Sequence, residues 1–289
     1  MRRSLISIGL AALFVLTWPA TALAATNPGL LTAGDFAVLA GTTITNTGPS
    51  WITGAIGAGA AGIAPGSFPP GTAGPQHVND GVYTTAQTDL TNAYNNAVQP
   101  CTTDYSGVNL GGLTLVPGVY CQTTAPTLTG TLTLNGSGIY IFLIGTTAAP
   151  TTLVTANSAQ VVLINGAQPC QIFWRVTSSA TIAPSTAFEG TIMANIAISM
   201  QTGATLFGRA LARTAAVTLD TNRIIQPAGC GNAGPAYVGP PVGNILPATL
   251  GIPWELLGSF PWLLVIGVGA LFGATVMVVN TRRRRRRTS

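Results

Sequence analysis

The chain of 289 residues is only 7% charged, contains no lysine, and has a formal net charge of +5. Eight of its twelve arginines lie at the two ends, at Arg2–Arg3 and Arg282–Arg287. The part between them carries four arginines and seven acidic residues, so it lacks the basic surface that nucleic acids and anionic lipids require. Composition therefore excludes a nucleic-acid partner.

The two ends have the pattern of export and anchoring segments. Residues 1–25 are predicted to be a signal peptide, since two arginines precede an apolar run and small residues surround Ala24. Residues 260–280 are predicted to form a transmembrane helix, because about 20 apolar residues cross a bilayer. The Arg-rich tail 281–289 predicts that this end stays in the cytoplasm. The expected location is therefore the cell surface, with the cell membrane as a partner of the C-terminal helix.

Residues 231–259 are rich in Gly and Pro and are predicted to be an extended spacer. The spacer contains Leu246, Pro247 and Thr249 in the run 246–251, which resembles the sorting signal that sortases recognise in Gram-positive surface proteins. The run departs from that pattern because Leu250 separates the threonine from the glycine. Retention by the helix is favoured over sortase attachment to the cell wall.

Residues 26–230 are predicted to form one mainly β domain, and its end contains an internal repeat. The segment 190–208 is followed by a similar segment, in which Ala210 and Ala212 correspond to Ile192 and Ala194 at an offset of about 18 residues. Apolar and small polar residues alternate within each segment. A period near twenty with strand-like alternation predicts a β-solenoid, in which each repeat is one coil.

One segment, 82–98, has helical periodicity instead. Asp80 is the predicted N-cap and Pro100 a stop signal. The predicted apolar stripe comprises Ala86, Leu90, Ala93, Tyr94 and Ala97. Strands that are apolar on both faces, such as 139–144, are the expected partners of this stripe. The solenoid is therefore predicted to have one side covered by a helix, one with outward threonine and serine residues, and a third that ends at glycine corners, Gly190 and Gly208.

The four cysteines all lie in the exported region, which predicts two disulfides with three alternative pairings. Cys101 with Cys121 is favoured because the two flank one short segment, and Cys170 would then pair with Cys230. Their spacing does not match a zinc site, and no metal or other cofactor is expected.

Catalytic chemistry has little support in this sequence. The one histidine, His77, lies in a Gly/Pro-rich stretch and is interpreted as a surface or turn residue. The acids are scattered, whereas glycoside cleavage needs two carboxylates. Arg209 and Arg213 are interpreted as solvated corners or as partners of Glu189 and Asp220. We expect a protein that is not an enzyme.

Rows of Thr, Ser and Ala on stacked coils are the remaining candidate for function. Any solenoid needs a polar outer surface, and that interpretation stays open. Successive coils lie about 4.8 Å apart and alternate residues along a strand about 6.7 Å apart, so such rows form a regular grid. Threonine offers a methyl beside a hydroxyl on a stiff side chain. A rigid grid suits a periodic partner, such as ice or a crystalline polysaccharide.

The ordered motifs also resemble a known family. They are, in chain order, Phe36–Ala40, Asn46–Gly48, Gly111–Tyr120, Gly130–Gly136, Ile139–Ile144, Val162–Ala167, Phe173–Trp174, Gly190–Ala194, Gly208–Ala212 and Val217–Asp220. Over residues 29–228 this series is similar to that of the microbial ice-binding (antifreeze) proteins. The resemblance implies a three-sided, right-handed and discontinuous β-solenoid with one long α-helix packed alongside, and a flat face that binds ice.

We therefore expect a cell-surface-anchored ice-binding protein that limits ice growth or recrystallisation, or attaches the cell to ice. The alternative is a surface adhesin or carbohydrate-binding solenoid without enzymatic activity. The predicted partner is the ice crystal surface, and the predicted face comprises Thr131, Thr133, Thr155, Asn157, Thr177, Ser179, Thr181, Ala197, Ser199, Thr214, Ala216 and Thr218.

Overall fold

The strands of the computed structural model are short, and most are separated by tight turns. The structure describes residues 24–64, 68 and 73–228, all within the first of two units into which the chain divides, Met1–Gly239 and Pro240–Ser289. Its strands are β1 Phe36–Ala40, β2 Thr43–Thr47, β3 Trp51–Thr53, β4 Ala55–Ala58, β5 Gly62–Ile63, β6 Gln76–Val78, β7 Thr103–Asp104, β8 Thr114–Leu115, β9 Gly118–Gln122, β10 Thr127–Leu128, β11 Thr131–Asn135, β12 Tyr140–Ile144, β13 Leu153–Thr155, β14 Gln160–Ile164, β15 Ile172–Val176, β16 Ala180–Ile182, β17 Ala187–Ala194, β18 Ile198–Met200, β19 Thr205–Ala212, β20 Val217–Asp220 and β21 Arg223–Ile225. Helix α1 spans Gly81–Asn96, and 3-10 turns occupy Leu31–Asp35 and Pro169–Gln171.

All strand pairs within the described residues are parallel, and the strands form three faces of a coil. The helix face has the order β6, β4, β1, β19, β17, β15, β12, β9 and β7. The face named here the hydroxyl face has the order β10, β13, β16, β18, β20, β2 and β5. The third face joins β8, β11, β14, the first halves of β17 and β19, then β21 and β3. The prediction of a mainly β, parallel, three-sided fold with one helix is confirmed.

The internal repeat has the predicted register. Ile192 pairs with Ala210 and Ala194 with Ala212, and on the next side Ser199 pairs with Thr218. Each repeat is therefore one coil stacked on the last, as the spacing predicts.

Apolar side chains fill the interior of the coil, and the aromatic ones stack in a row. The ring centroids of Phe142 and Trp174 are 3.9 Å apart, Tyr120 lies 5.4 Å from Phe142, and Phe188 lies 4.8 Å from Trp174. The Trp174 indole donates its Nε1–H to the carbonyl of Glu189 at 2.9 Å, which satisfies its polar atom. This packing holds successive coils in a fixed order, so the outer residues stand on a stiff support.

Helix α1 packs against the helix face and buries its predicted apolar stripe there. Asp80 caps its first turn by accepting a hydrogen bond from the Tyr83 amide at 2.8 Å. Tyr83 donates to the carbonyl of Ala40, and Tyr94 to that of Val176. The helix thus contacts both β1 and β15, so it runs along the solenoid. Apolar residues of both elements form a second core, comprising Tyr83, Ala86, Leu90, Ala93, Tyr94 and Ala97 of the helix segment with Val119, Ile141, Leu143, Phe173, Met193 and Leu211 of the strands.

The first strands of the chain stack on the last coil. Val38 of β1 pairs with Ala210, Thr45 of β2 with Thr218, and Trp51 of β3 with Arg223. Helix α1 then carries the chain back along the stack, and β7 to β21 return coil by coil. The order of coils in space therefore differs from the order in the sequence, as the family resemblance implies.

A disulfide joins Cys101 to Cys121, with 5.8 Å between the Cα atoms, and confirms the favoured pairing. It ties the segment after α1 to β9, near the end of the stack. Cys230 lies outside the described residues, so its pairing with Cys170 stays a prediction.

The corner between the third face and the helix face requires glycine. A Cβ atom on Gly208 would lie 1.8 Å from the carbonyl oxygen of Gly190, and Gly190 itself has φ +101°. Both strands bend here without breaking their pairing. The predicted role of Gly190 and Gly208 as corners is confirmed.

We expect Gly208→Ala to lower the free energy of unfolding by about 3 kcal/mol, the upper end of the range for overpacking, since the displaced atoms are backbone. Urea unfolding followed by circular dichroism measures this loss. Gly81→Ala is the matched control, because a Cβ there meets nothing within 4 Å. Equal stability of the two variants would contradict the corner's role.

Several predicted segments lie outside the described residues. They are most of the signal peptide, the spacer with Leu246, Pro247 and Thr249, the predicted span 260–280 and the tail 281–289. Within residues 24–64, 68 and 73–228, no helix has the length and apolar character needed to span a bilayer.

Candidate functional site

A column of small outward residues runs along the middle of the hydroxyl face. The strand register aligns Thr127, Val154, Thr181, Ser199, Thr218 and Thr45 on six successive strands. Residues on either side point inward and are buried, as with Ala180 and Ile182 around Thr181, except for the half-buried Asn46 beside Thr45. The column therefore stands on a packed core, one residue to each coil.

Two further columns flank the middle one. The leading column lies two residues earlier and comprises Thr152, Ser179, Ala197, Ala216, Thr43 and Gly62. The trailing column lies two residues later and comprises Thr129, Ala156, Ala183, Gln201, Asp220 and Thr47. The strand pairs of this face show no register shift, whereas β1 and β4 on the helix face do. The leading and middle columns thus form a regular grid of small side chains, whereas the trailing column also carries Gln201 and Asp220, and its Ala183 is buried.

The hydroxyl groups of the middle column are largely free of protein partners. Within the described chain, those of Thr127, Thr181 and Ser199 form no hydrogen bond with protein atoms, and Thr45 donates to Thr218 over a long 3.4 Å. These hydroxyls can therefore donate to and accept from water in the plane of the face. Asp220, in the trailing column, is the charged side chain that the described part of this face carries, and it accepts hydrogen bonds from Thr202 and Thr221 beside it.

Six of the twelve residues predicted for the face lie together on it. They are Ser179, Thr181, Ala197, Ser199, Ala216 and Thr218. Thr214 is exposed in the turn that leads into β20, and its hydroxyl donates to the carbonyl of Asn195 at 2.6 Å. Asn157 is exposed in the turn between the hydroxyl face and the third face.

The remaining four predicted residues lie neither on the hydroxyl face nor in the turns beside it. Thr131 and Thr133 lie on β11 of the third face, because β10 ends at Leu128 and the chain turns at Gly130, which has φ +89°. Placing them on the hydroxyl face was wrong.

Thr155 and Thr177 are buried and so are unable to contact an external surface. The hydroxyl of Thr155 accepts a hydrogen bond from the amide of Ala183 at 2.8 Å. That of Thr177 donates to the carbonyl of Ile144 at 2.9 Å. Both hydroxyl groups are therefore used in hydrogen bonds inside the coil.

Several members of the face were not predicted from the sequence. Thr43 and Thr45 belong to β2, which joins the face by pairing with β20 from far away in the chain. Thr127 and Val154 lie in early coils whose register the sequence left open. The alternating pattern of 43–47 was the available signal for β2, but nothing local indicates its partner strand.

The other two faces are less regular. Helix α1 covers the helix face. The third face exposes Trp51 to 55% and also carries Arg223, Phe207 and Glu189 outward. Large, charged and apolar side chains alternate there with threonines, so that face has no uniform column.

Glu189 is unusual on the third face because most of its side chain is buried. Its Oε2 atom has no hydrogen-bond partner, and burial raises the pKa of this carboxyl from 4.5 to about 8. Arg213, interpreted from the sequence as a solvated corner or as a partner of Glu189 or Asp220, lies against Tyr94, and its Nη1 donates to Oδ1 of Asn195 at 2.7 Å. The interpretation of Arg213 as a partner of an acid was wrong.

The described residues offer few candidates for a catalytic or metal-binding site. No group of three His, Cys, Asp or Glu side chains there could hold a metal ion. His77 is paired with Asp80 at 2.9 Å and packs its ring edge-on to Phe36. This histidine therefore supports the start of α1.

Comparison with known proteins assigns this chain to a family. The model of the family described as Ice-binding-like matches residues 38–225. The chain belongs to this family. An ice-binding protein of Nostoc sp. (strain HG1) is 42% identical over 200 residues, which cover 67% of this chain and 72% of that relative. Ice-binding protein 1 of Shewanella frigidimarina (strain NCIMB 400) is 40% identical over 153 residues, 49% of this chain but 16% of that longer protein.

A crystal structure from the same family has the same fold. It is that of an ice-binding protein from the Antarctic ascomycete Antarctomyces psychrotrophicus, with a TM-score of 0.64 and 35% sequence identity. The match covers 70% of this chain and 99% of the fungal one. The fungal protein therefore consists almost entirely of the fold that is described here for this chain.

Proposed function

We propose that this protein binds ice and that the hydroxyl face is its contact surface. The observation that carries the proposal is the unbroken middle column, in which one small residue stands on each of six coils at equal strand spacing. Threonine methyl and hydroxyl groups present apolar and hydrogen-bonding atoms side by side. Many weak contacts add up only when little conformational entropy is lost, and the packed coil meets that condition.

The charge distribution supports the choice of face. Strongly hydrated side chains would hold water in their own geometry, and the chain has no lysine at all. The described hydroxyl face carries Asp220 at its margin, whereas the third face carries Arg223, Glu189 and the bulky Trp51. Frozen water is a lattice, so a uniform grid fits it better than a surface of mixed heights.

Ice-affinity partition of the full-length protein tests this function. We expect the protein to be enriched in slowly grown ice over the remaining liquid, while a globular protein of similar size is excluded. Pull-down on chitin and cellulose is run in parallel. Exclusion from ice together with retention on either polysaccharide would contradict the proposal and favour the carbohydrate-binding alternative.

We further propose that the domain is displayed at the cell surface. The support is in the sequence: a signal-like start, an apolar run at 260–280 and the arginine tail. Mass spectrometry of the mature C-terminus tests it. A chain that retains Arg287 agrees with retention by the helix and excludes sorting, whereas a chain ending within 246–251 contradicts retention.

A further inference from the structure

A cavity of about 250 Å³ lies at the corner between the helix face and the hydroxyl face. Its lining comprises Tyr94, Asn95, Thr147, Pro150, Arg175, Thr177, Asn195 and Arg213. Two of the four arginines in the described chain therefore meet in one cavity. No acidic side chain is among these lining residues, although acids outnumber arginines over residues 24–228.

Both guanidinium groups are held in place by the same tyrosine. The guanidinium carbon of Arg175 lies 4.2 Å from the centroid of the Tyr94 ring, and that of Arg213 lies 4.5 Å from it. Arg175 is 8% exposed, and its Nε donates to the carbonyl of Tyr94 at 3.1 Å. Cation–π contacts and this hydrogen bond orient the two groups but do not neutralise them.

The cavity presents donors that the protein leaves unused. The terminal nitrogens of Arg175 and Nη2 of Arg213 form no hydrogen bond within the described chain, and each of them keeps some accessible surface. Asn195 uses its Oδ1 to accept from Arg213, which leaves its amide N–H groups available. Buried charges are normally paired, so a largely buried arginine beside a second one, with no acid in the lining, favours an anion as the ligand of this cavity.

We propose that this cavity is an oxyanion-binding site, in which Arg175, Arg213 and Asn195 hold a small carboxylate or phosphate-type group. Guanidinium groups match the geometry of both, since they donate two parallel hydrogen bonds. A site of donors with no free carboxylate excludes cations. The inference is independent of ice binding, because the lining lies beside the hydroxyl face and uses none of its three columns.

Isothermal titration calorimetry of the full-length protein with inorganic phosphate, and separately with acetate, tests the site against sodium chloride of equal ionic strength. We expect saturable binding of at least one anion, and the two arms distinguish a tetrahedral from a carboxylate ligand. Arg213→Gln should weaken this binding about tenfold or more, the effect of losing one charge-assisted pair. Arg223→Gln, an exposed arginine on the third face, is the matched control and should bind as the wild type does.

Asn195→Asp keeps the test valid if Arg213→Gln does not fold. Aspartate retains the acceptor for Arg213 and places a carboxylate inside the cavity, so it should abolish anion binding while the fold remains. Absence of saturable binding to both anions in the wild type would overturn the proposal. Unchanged affinity in either cavity variant would also overturn it.

Discussion

Thr181→Tyr should reduce thermal hysteresis and ice-crystal shaping by about tenfold or more. Thr181 lies in the middle of the hydroxyl face, between Val154 and Ser199 in the column. A tyrosine ring there stands above the grid and holds neighbouring coils away from a flat partner. Loss of only about 1.4 kcal/mol of binding free energy lowers an affinity tenfold. Thermal hysteresis measured by nanolitre osmometry, with circular dichroism to show that the variant is folded, gives the result.

Thr131→Tyr is the matched control for this substitution. Thr131 is exposed on β11 of the third face, so the same change in size leaves the hydroxyl face intact. We expect wild-type activity from this variant. A folded Thr181→Tyr protein with full activity, or an equal loss from Thr131→Tyr, would contradict the assignment of the face.

The second large effect expected is a loss of stability as the pH rises from 5 to 9. Burial raises the pKa of Glu189 from 4.5 to about 8, so between these values the folded state holds a proton that the unfolded state has released. Stability therefore falls with increasing pH in this window and shows no contribution from Glu189 below pH 4.5. With about 1.4 kcal/mol for each tenfold change in proton affinity, the loss between pH 5 and pH 9 is on the order of 4 kcal/mol.

Glu189→Gln isolates this contribution because glutamine has the shape of the protonated acid and does not ionise. Urea unfolding at pH 5 should give similar stability for the variant and the wild type, and at pH 9 the variant should be more stable. Asp104→Asn, at an exposed position, is the control: hydrogen bonds from Ser106 lower the pKa of the Asp104 carboxyl, which therefore stays ionised from pH 5 to 9, and its loss should leave the pH profile in this window unchanged. A variant with the wild-type pH slope would show that Glu189 is not the responsible group.

Local patterns in the sequence were sufficient to predict most of the coil. Alternation in 190–220 predicted both the register and the inward residues, because adjacent coils of similar length repeat the same environments. The helix was predictable for the same reason, since its stripe has a period of its own. Those elements are determined by residues that lie in the same helix or in adjacent coils.

The rest depended on relations that no local pattern contains. The early coils differ in length, so Thr131 could be assigned to the wrong side of the turn at Gly130. Thr45 joins the face through a strand pair that spans most of the domain. The cavity brings together Arg175 and Arg213 from different coils, with Tyr94 from the helix, and only the three-dimensional packing places them in contact.

The pairing of the first strands with the last coil has a consequence for how the molecule is made. During synthesis or export, β1, β2 and β3 emerge first, yet their partners on β19, β20 and β21 are among the last described residues to follow. A chain with so many distant contacts is expected to fold slowly, because these contacts form only after a long loop has closed. Maturation of the domain must therefore await release of residues near 225, and a chain interrupted before them would leave β1, β2 and β3 without their partner strands in the last coil.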